Sequence, residues 1–325
     1  MKALVYTGPK ELDCRDVPDA VPQAGEELIR VDSVGICGSD MHAYLGHDAR
    51  RPAPLILGHE AAGVITGGPR DGQRVTINPL VTCGACRACL NGQDNLCPAR
   101  QIISMPPREG AFAELLAMPG GNLVPVPDNV PLSKAALAEP IACGWHAVRL
   151  SLAVLGRAER ALVLGGGAIG VGAALSLKAR GVNEVLIAEP NAPRRRFLEL
   201  NCDFPAVAPD QVPGADYDIV IDGVGHEATR AQASALVRPG GVIGHIGLGQ
   251  ATGGLDIRRM TLQEVTFIGT YTYTAQDFQD TAQAIFEGRL GRLDWFESRA
   301  LADGAKSFAD IRAGMVASPK IILTP

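Results

Sequence analysis

The sequence predicts an α/β protein in two parts. One is a β-rich region built from both ends of the chain, and the other is a doubly wound parallel sheet inserted before the last stretch. Three observations carry this. Residues 1–145 hold short β-prone runs separated by Gly, Pro and Asp. From Arg160 to Gly269, short apolar runs alternate with helical stretches, which is the pattern of βαβ units. The first of those runs ends in a glycine-rich turn that opens a helix. At ~150 residues per domain, a chain of 325 residues suits two domains.

The elements follow in order. Lys2–Tyr6, Glu27–Val34, Ala61–Ile65 and Arg74–Ile77 read as strands of a loop-rich, barrel-like domain. Near Ser133 the pattern changes, and Ser133–Leu137 and Ile141–Leu155 read as helical. Arg160–Leu164 is a buried strand, Ala168–Arg180 a small-residue helix, Glu184–Glu189 a second strand and Arg194–Leu200 a helix. Tyr217–Asp222, Gly241–Ile246 and Val265–Gly269 are further apolar strands. Ala275–Glu287 is a helix, and short strands follow to Ile322. The expected division is 1–145 with 274–325 as one domain and 146–273 as the other.

Composition narrows the function. Hydrophobic residues at 46% support a buried core and argue against disorder. The net charge is -5, and Arg194–Arg196 is the only basic run, so no nucleic-acid partner is expected. The longest uncharged apolar stretch, Ala161–Leu177, carries five glycines and falls short of the ~20 residues a bilayer span needs. The N-terminus lacks a signal-peptide pattern, so no membrane role and a cytoplasmic location are expected.

Gly165, Gly167 and Gly170 are spaced G-x-G-x-x-G between an apolar strand and a helix. Glu189 closes the next strand, 19 residues beyond Gly170. This is the context of a dinucleotide fingerprint. Gly165 permits the turn, Gly167 lets backbone approach a pyrophosphate, and Gly170 allows close helix–strand packing. Ala168 and Ile169 then sit in the first helical turn, whose N–H groups favour phosphate. A carboxylate at Glu189 suits ribose hydroxyls and repels a 2′-phosphate, so NAD is expected over NADP. Arg194 is a candidate contact at the adenosine end, and its other reading is a solvated helix face.

Eight cysteines suggest metal before disulfides, because Cys83, Cys86, Cys89 and Cys97 crowd into 15 residues. Four thiolates on so short an excursion suit a closed, structural Zn2+ site, and an iron–sulfur cluster is the rival. A dispersed set adds Cys37 in GICGSDMH and His59 with Glu60 in GHE. These ligand types suit a Zn2+ ion with a position open to substrate.

GICGSDMH, GHEAAG, the four-Cys lobe, the AEP segment at Ala138–Pro140 and VLGGGAIGVG occur in that order. Together they resemble the zinc-dependent medium-chain dehydrogenase/reductase family, over nearly the whole chain. The resemblance implies a GroES-like catalytic domain and a Rossmann NAD-binding domain. It also implies two zinc ions per chain: a structural one on the four cysteines, and a catalytic one on Cys37 and His59 with Glu60 or Glu139. Glu139-Pro140 is similar to the polyol branch (sorbitol and threonine dehydrogenases), where this position is Glu rather than Cys. The implied reaction is hydride transfer between NAD and a secondary alcohol (polyol, sugar alcohol or sugar acid), giving a ketone. Ser39 and His42 match a proton relay, and Asp40 matches the partner that orients His59. The polar segment MHAYLGHDARRP suits a polyol or sugar acid, with Arg50 and Arg51 facing substrate or lying at a solvent-exposed rim. Alternatives are an NADP-preferring alcohol, aldehyde or quinone reductase, and a non-enzymatic dinucleotide-binding protein. A homodimer or homotetramer is expected, paired through the edge strand Val265–Gly269.

Overall fold

The computed structural model describes all residues from Met1 to Pro325. The chain forms two compact units. The first comprises Met1–Glu139, Thr274–Glu287 and Phe296–Pro325, and the second Pro140–Tyr273 with Gly288–Trp295. No helix is long and apolar enough to cross a membrane.

The first unit is built on a mostly antiparallel sheet of seven strands. Its path runs Leu123–Pro125, Arg74–Ile77, Glu60–Ile65, Glu26–Gly35, Lys320–Thr324, Phe296–Ala300, and Leu115–Pro119 also joins Glu26–Gly35. A three-stranded sheet of Glu11–Asp16, Lys2–Gly8 and Leu55–Ile56 lies in the same unit. Alternation places Leu4, Ile29, Ile65 and Ile77 in one core with Phe112 and Phe308. Phe112 meets Phe308 edge-on, with ring centroids 6.0 Å apart. Removing such a buried aromatic side chain costs ~3–5 kcal/mol. The central strand Glu26–Gly35 sets the register that matters. Gly35 pairs with Glu60 on one side and with Ile322 on the other.

The second unit holds six parallel strands. From edge to edge they are Ala206–Val207, Glu184–Ala188, Arg160–Leu164, Tyr217–Asp222, Val237–His245 and Thr266–Gly269. In chain order this is 3-2-1-4-5-6, the doubly wound arrangement whose order reverses beside the first strand. The central strands Arg160–Leu164 and Tyr217–Asp222 are almost wholly buried, and the helices Ala168–Ala179, Ala192–Asn201 and Glu227–Leu236 lie between strands along the chain.

Five helices escape the sequence reading: Gly38–Tyr44, Arg87–Leu90, Glu227–Leu236, Ile257–Leu262 and Gly304–Arg312. Each is short, and none presents a long apolar stripe. Gly304–Arg312 begins on glycine, and its buried face mixes Phe308 with Ser307 and Asp310. Gly38–Tyr44 is held by its first turn. The Cys37 Sγ accepts from Ser39 N, and the Asp40 carboxylate caps the Cys37 N–H, a reciprocal capping box.

Candidate active site

Cys37, His59 and Glu60 lie on two segments that the strand register joins. Their ligand atoms fall within 4.8 Å of one another. The Cys37 Sγ receives the Ser39 N–H at 3.5 Å. Glu60 follows His59 and begins the strand that pairs with Gly35. A Cβ at Gly35 would overlap the Glu60 carboxylate, so glycine is required there for this side chain to lie flat against the strand.

His59 is buried between three polar neighbours. Its Nδ1 lies 3.4 Å from Asp40 Oδ1 and 3.3 Å from Ser104 Oγ, and its Nε2 lies 3.4 Å from Ser39 Oγ. Asp40 is fully buried and also accepts from the Cys37 N–H at 3.0 Å and the Gly58 N–H at 3.2 Å. Burial pushes the Asp40 carboxyl up, but the charge and hydrogen bond of His59, the Arg51 guanidinium and the Cys37 N–H together hold it below its ordinary value. Burial pushes the His59 imidazole down. Asp40 and the Cys37 thiolate outweigh that and raise it well above its ordinary value. With Nδ1 committed to Asp40 and Ser104, Nε2 is the nitrogen available to a metal.

Lys320 is a contributor that sequence reasoning missed. It is 3% exposed, and its Nζ donates to Ile36 O at 2.8 Å and Glu60 Oε1 at 2.7 Å. Glu60 Oε2 stands 2.6 Å from the same Nζ, so the ammonium faces both carboxylate oxygens. Burial pushes the Lys320 ammonium down, while Glu60, Cys37 and Glu139 hold it above its ordinary value. No local signal marks a lysine at position 320. It becomes visible only when the strand Lys320–Thr324 docks beside Gly35.

Glu139 is buried near the start of helix Ala138–Leu155, in electrostatic range of Lys320 and outside the three-residue set. Ser39 lies in the first turn of Gly38–Tyr44, and His42 is exposed one turn further on. Arg50 and Arg51 part company. Arg50 is 63% exposed and paired with Asp48, whereas Arg51 is 1% exposed and points away from solvent. The rim reading therefore fails for Arg51, because Asp48, Ser39 and Ser104 satisfy its guanidinium inside the fold.

The four-cysteine lobe stands on the paired strands Leu80–Val81 and Gln101–Ile102. Its sulfurs are 3.5 Å apart for Cys86–Cys89 and Cys83–Cys97, and 3.9 Å for Cys83–Cys89. A disulfide needs about 2.05 Å. Zn–S bonds of ~2.3 Å in a tetrahedron put sulfurs roughly 3.8 Å apart, so the donor set fits zinc. The Ala85 and Cys86 N–H groups lower the Cys83 thiol to about 6, supplying a thiolate.

In the second unit Gly165, Gly167 and Gly170 form the turn between strand Arg160–Leu164 and helix Ala168–Ala179. Gly165 has φ of +96°, and a Cβ at Gly170 would collide with the Gly165 carbonyl oxygen. A Cβ at Gly167, the N-cap of helix Ala168–Ala179, would meet nothing within 4 Å. The helix therefore opens on free space, with the Ala168 and Ile169 N–H groups at its first turn. Glu189 is 6% exposed and accepts from Gly166 N and Asn191 N, both at 2.8 Å. Arg194 is half-buried, with its backbone N–H on the Asn191 side chain, and Arg195 donates to the Glu189 and Pro190 carbonyls.

A β-rich unit with a clustered Cys–His–Glu set and a four-Cys lobe, in one chain with a 3-2-1-4-5-6 sheet, defines a class of oxidoreductase. Residues 23–128 match the alcohol dehydrogenase GroES-like domain, and residues 168–287 match the zinc-binding dehydrogenase family. The chain belongs to the zinc-dependent alcohol dehydrogenase family of oxidoreductases. It is similar to L-galactonate-5-dehydrogenase of Escherichia coli strain K12, with 32% identity over 306 residues covering 89% of this chain and 88% of that protein. It is also similar to 2-dehydro-3-deoxy-L-galactonate 5-dehydrogenase of Pseudoalteromonas atlantica, at 31% identity covering 96% and 95%. Among solved structures it resembles an alcohol dehydrogenase of E. coli CFT073 in complex with NADH. There the TM-score is 0.88 and the identity 25%, covering 100% of this chain and 99% of the other.

Proposed function

We propose that this protein oxidises a secondary hydroxyl of a sugar acid or polyol to a ketone, with NAD as the hydride acceptor and two zinc ions per chain. The observation that carries the reading is the half-buried Cys37 beside buried His59 and Glu60, their ligand atoms within 4.8 Å of one another, with the Ser39 hydroxyl 3.4 Å from His59 Nε2. Two relatives named for acting on galactonates favour a sugar acid. The first unit, with Met1–Glu139, carries the chemistry, and the second, with Pro140–Tyr273, carries the dinucleotide; the break falls at Glu139 rather than at the expected residue 145, and Gly288–Trp295 joins the second unit.

When bound, a catalytic zinc on Cys37 and His59, with Glu139 or Glu60, supplies Lewis acidity at the reacting hydroxyl, and NAD supplies the hydride acceptor. The remaining work belongs to the chain. Asp40 keeps the proton on His59 Nδ1 and so presents Nε2 as ligand. Lys320 neutralises Glu60, which allows two anionic side chains, Cys37 and Glu60, to share one buried site. Ser39 takes the proton of the substrate hydroxyl, and exposed His42 passes a proton on to solvent. The N–H groups behind Gly165, Gly167 and Gly170, including those of Ala168 and Ile169, hold the pyrophosphate. Glu189 has lone pairs left over for ribose hydroxyls, which favours NAD over NADP, and Arg194 borders the adenosine end. Cys83, Cys86, Cys89 and Cys97 hold the structural zinc. The protein works in the cytoplasm as a homodimer or homotetramer.

Metal content per chain, measured alongside NAD+ reduction over C4–C6 polyols, sugar acids and simple alcohols, tests the reading. About two zinc ions and turnover of a sugar acid or polyol are expected. A single zinc, removed by chelation with no change in activity, would overturn the catalytic site. A higher kcat/KM with NADP+ than with NAD+ would overturn the cofactor choice.

A further inference from the structure

Arg51 is a buried guanidinium that the proposed chemistry does not use. Its Nε donates to Ser104 O at 3.0 Å, and its Nη1 to Asp48 Oδ2 at 2.7 Å and Ser39 O at 3.4 Å. Its Nη2 points at Ser39 Oγ from 3.5 Å. Ser39 and Ser104 are the two hydroxyl residues that flank the His59 ring, at Nε2 and Nδ1. One rigid, planar group therefore reaches both sides of a proposed metal ligand. Burying a cation is expensive, and an apolar residue of similar size would fill this space without that cost. Asp48 offsets only part of the charge, because it also binds Arg50 at 2.8 and 2.9 Å.

A serine hydroxyl has one proton and two lone pairs. Unrestrained, it rotates and can present either to a neighbour. With the Arg51 N–H directed at one lone pair, a single lone pair and the proton remain. We infer that Arg51 is the positioning residue for Ser39, fixing its hydroxyl so that it accepts the substrate proton on one side and releases its own on the other. This rests on the dehydrogenase reading above. The step balances: the substrate O–H bond breaks toward Ser39 Oγ, the Ser39 proton leaves toward solvent, and the C–H hydride goes to NAD+. Arg51 acts only through Ser39, since its side chain is 1% exposed and its Nη2 reaches Ser39 Oγ from inside the fold.

The test is a double-mutant cycle between Arg51→Lys and Ser39→Ala, read as kcat and KM, with zinc content, NADH binding and Tm measured on each variant. Lysine keeps the charge but lacks the fork that spans Ser104, Asp48 and Ser39 at once. Arg51→Lys should lower kcat about 10- to 100-fold, with KM, zinc content and NADH binding within a factor of about 2. In the Ser39→Ala background it should cost nothing more, because the group it positions is gone. Added guanidinium should restore part of the kcat of Arg51→Ala and leave wild type unchanged. Independent, multiplying losses overturn the inference, as does a kcat loss that tracks lost zinc or lost fold, or an effect on KM alone. Wild-type protein inactive on every alcohol sinks the dehydrogenase reading and this inference with it, whereas active wild type with additive variants sinks this inference alone.

Discussion

Asp40 ties together the segments of the proposed metal site. Its two oxygens serve Cys37 N, Gly58 N and His59 Nδ1, all donors, so only an acceptor-only side chain satisfies them. Asp40→Asn puts an NH2 group against one of these donors. Zinc affinity at the Cys37–His59 site should fall about 10- to 100-fold in competition with a chromophoric chelator, while the four-cysteine zinc stays bound. Unchanged affinity would remove Asp40 from its proposed role. The residue scale also shows where sequence is informative. Gly165, Gly167 and Gly170 are legible because their meaning is local: a strand, a turn and a helix within a few positions. Asp40 is legible only by resemblance, since nothing near it predicts a contact with position 59. Arg51 misleads because arginines almost always keep their heads in water. Its burial depends on Ser104, 53 positions away.

Among elements, the four-cysteine lobe has the least core of its own. Its helix Arg87–Leu90 has no buried residue, and Leu90 is 74% exposed. Its order must therefore come from the sulfurs and from short anchors such as Asp94, whose carboxylate receives the Ala275 N–H at 2.9 Å. Cys97→Ser should release one of two zinc ions per chain, seen by native mass spectrometry, and make residues 83–97 sensitive to protease. Zinc retained at wild-type level would argue against this ligand set. The lobe was legible from spacing alone, because four thiols within 15 residues leave few chemical alternatives. The helix Glu227–Leu236 was not. Its buried side consists of Arg230, Ala233 and Ser234, which carry no hydrophobic stripe.

For the whole molecule, the parallel sheet ends on Thr266–Gly269, an edge with no further strand beside it. Leu248, Ile257 and Leu262 lie exposed in the segments leading to that edge. Unprotected edges and apolar side chains of this kind are normally covered. Thr266→Lys should shift the protein toward monomer in sedimentation velocity at micromolar concentration. A wild-type monomer under the same conditions would remove the proposed assembly. The pattern changes near Ser133 in the sequence, whereas the compact units divide between Glu139 and Pro140. The return of the chain was harder to read, because Gly288–Trp295 goes with the second unit while its neighbours on both sides belong to the first.

The ion pair of Glu60 and Lys320 spans 260 positions. At ~5–20 residues per second, a ribosome takes roughly 13–52 s to travel that distance. Throughout that interval Cys37, His59 and Glu60 have been synthesised, but the cation that restrains the glutamate has not. A nascent chain that captures metal early does so with Glu60 unrestrained, and the late arrival of Lys320 must then pull that carboxylate into place. The distance between these two residues thus sets how late in synthesis Glu60 gains its cation.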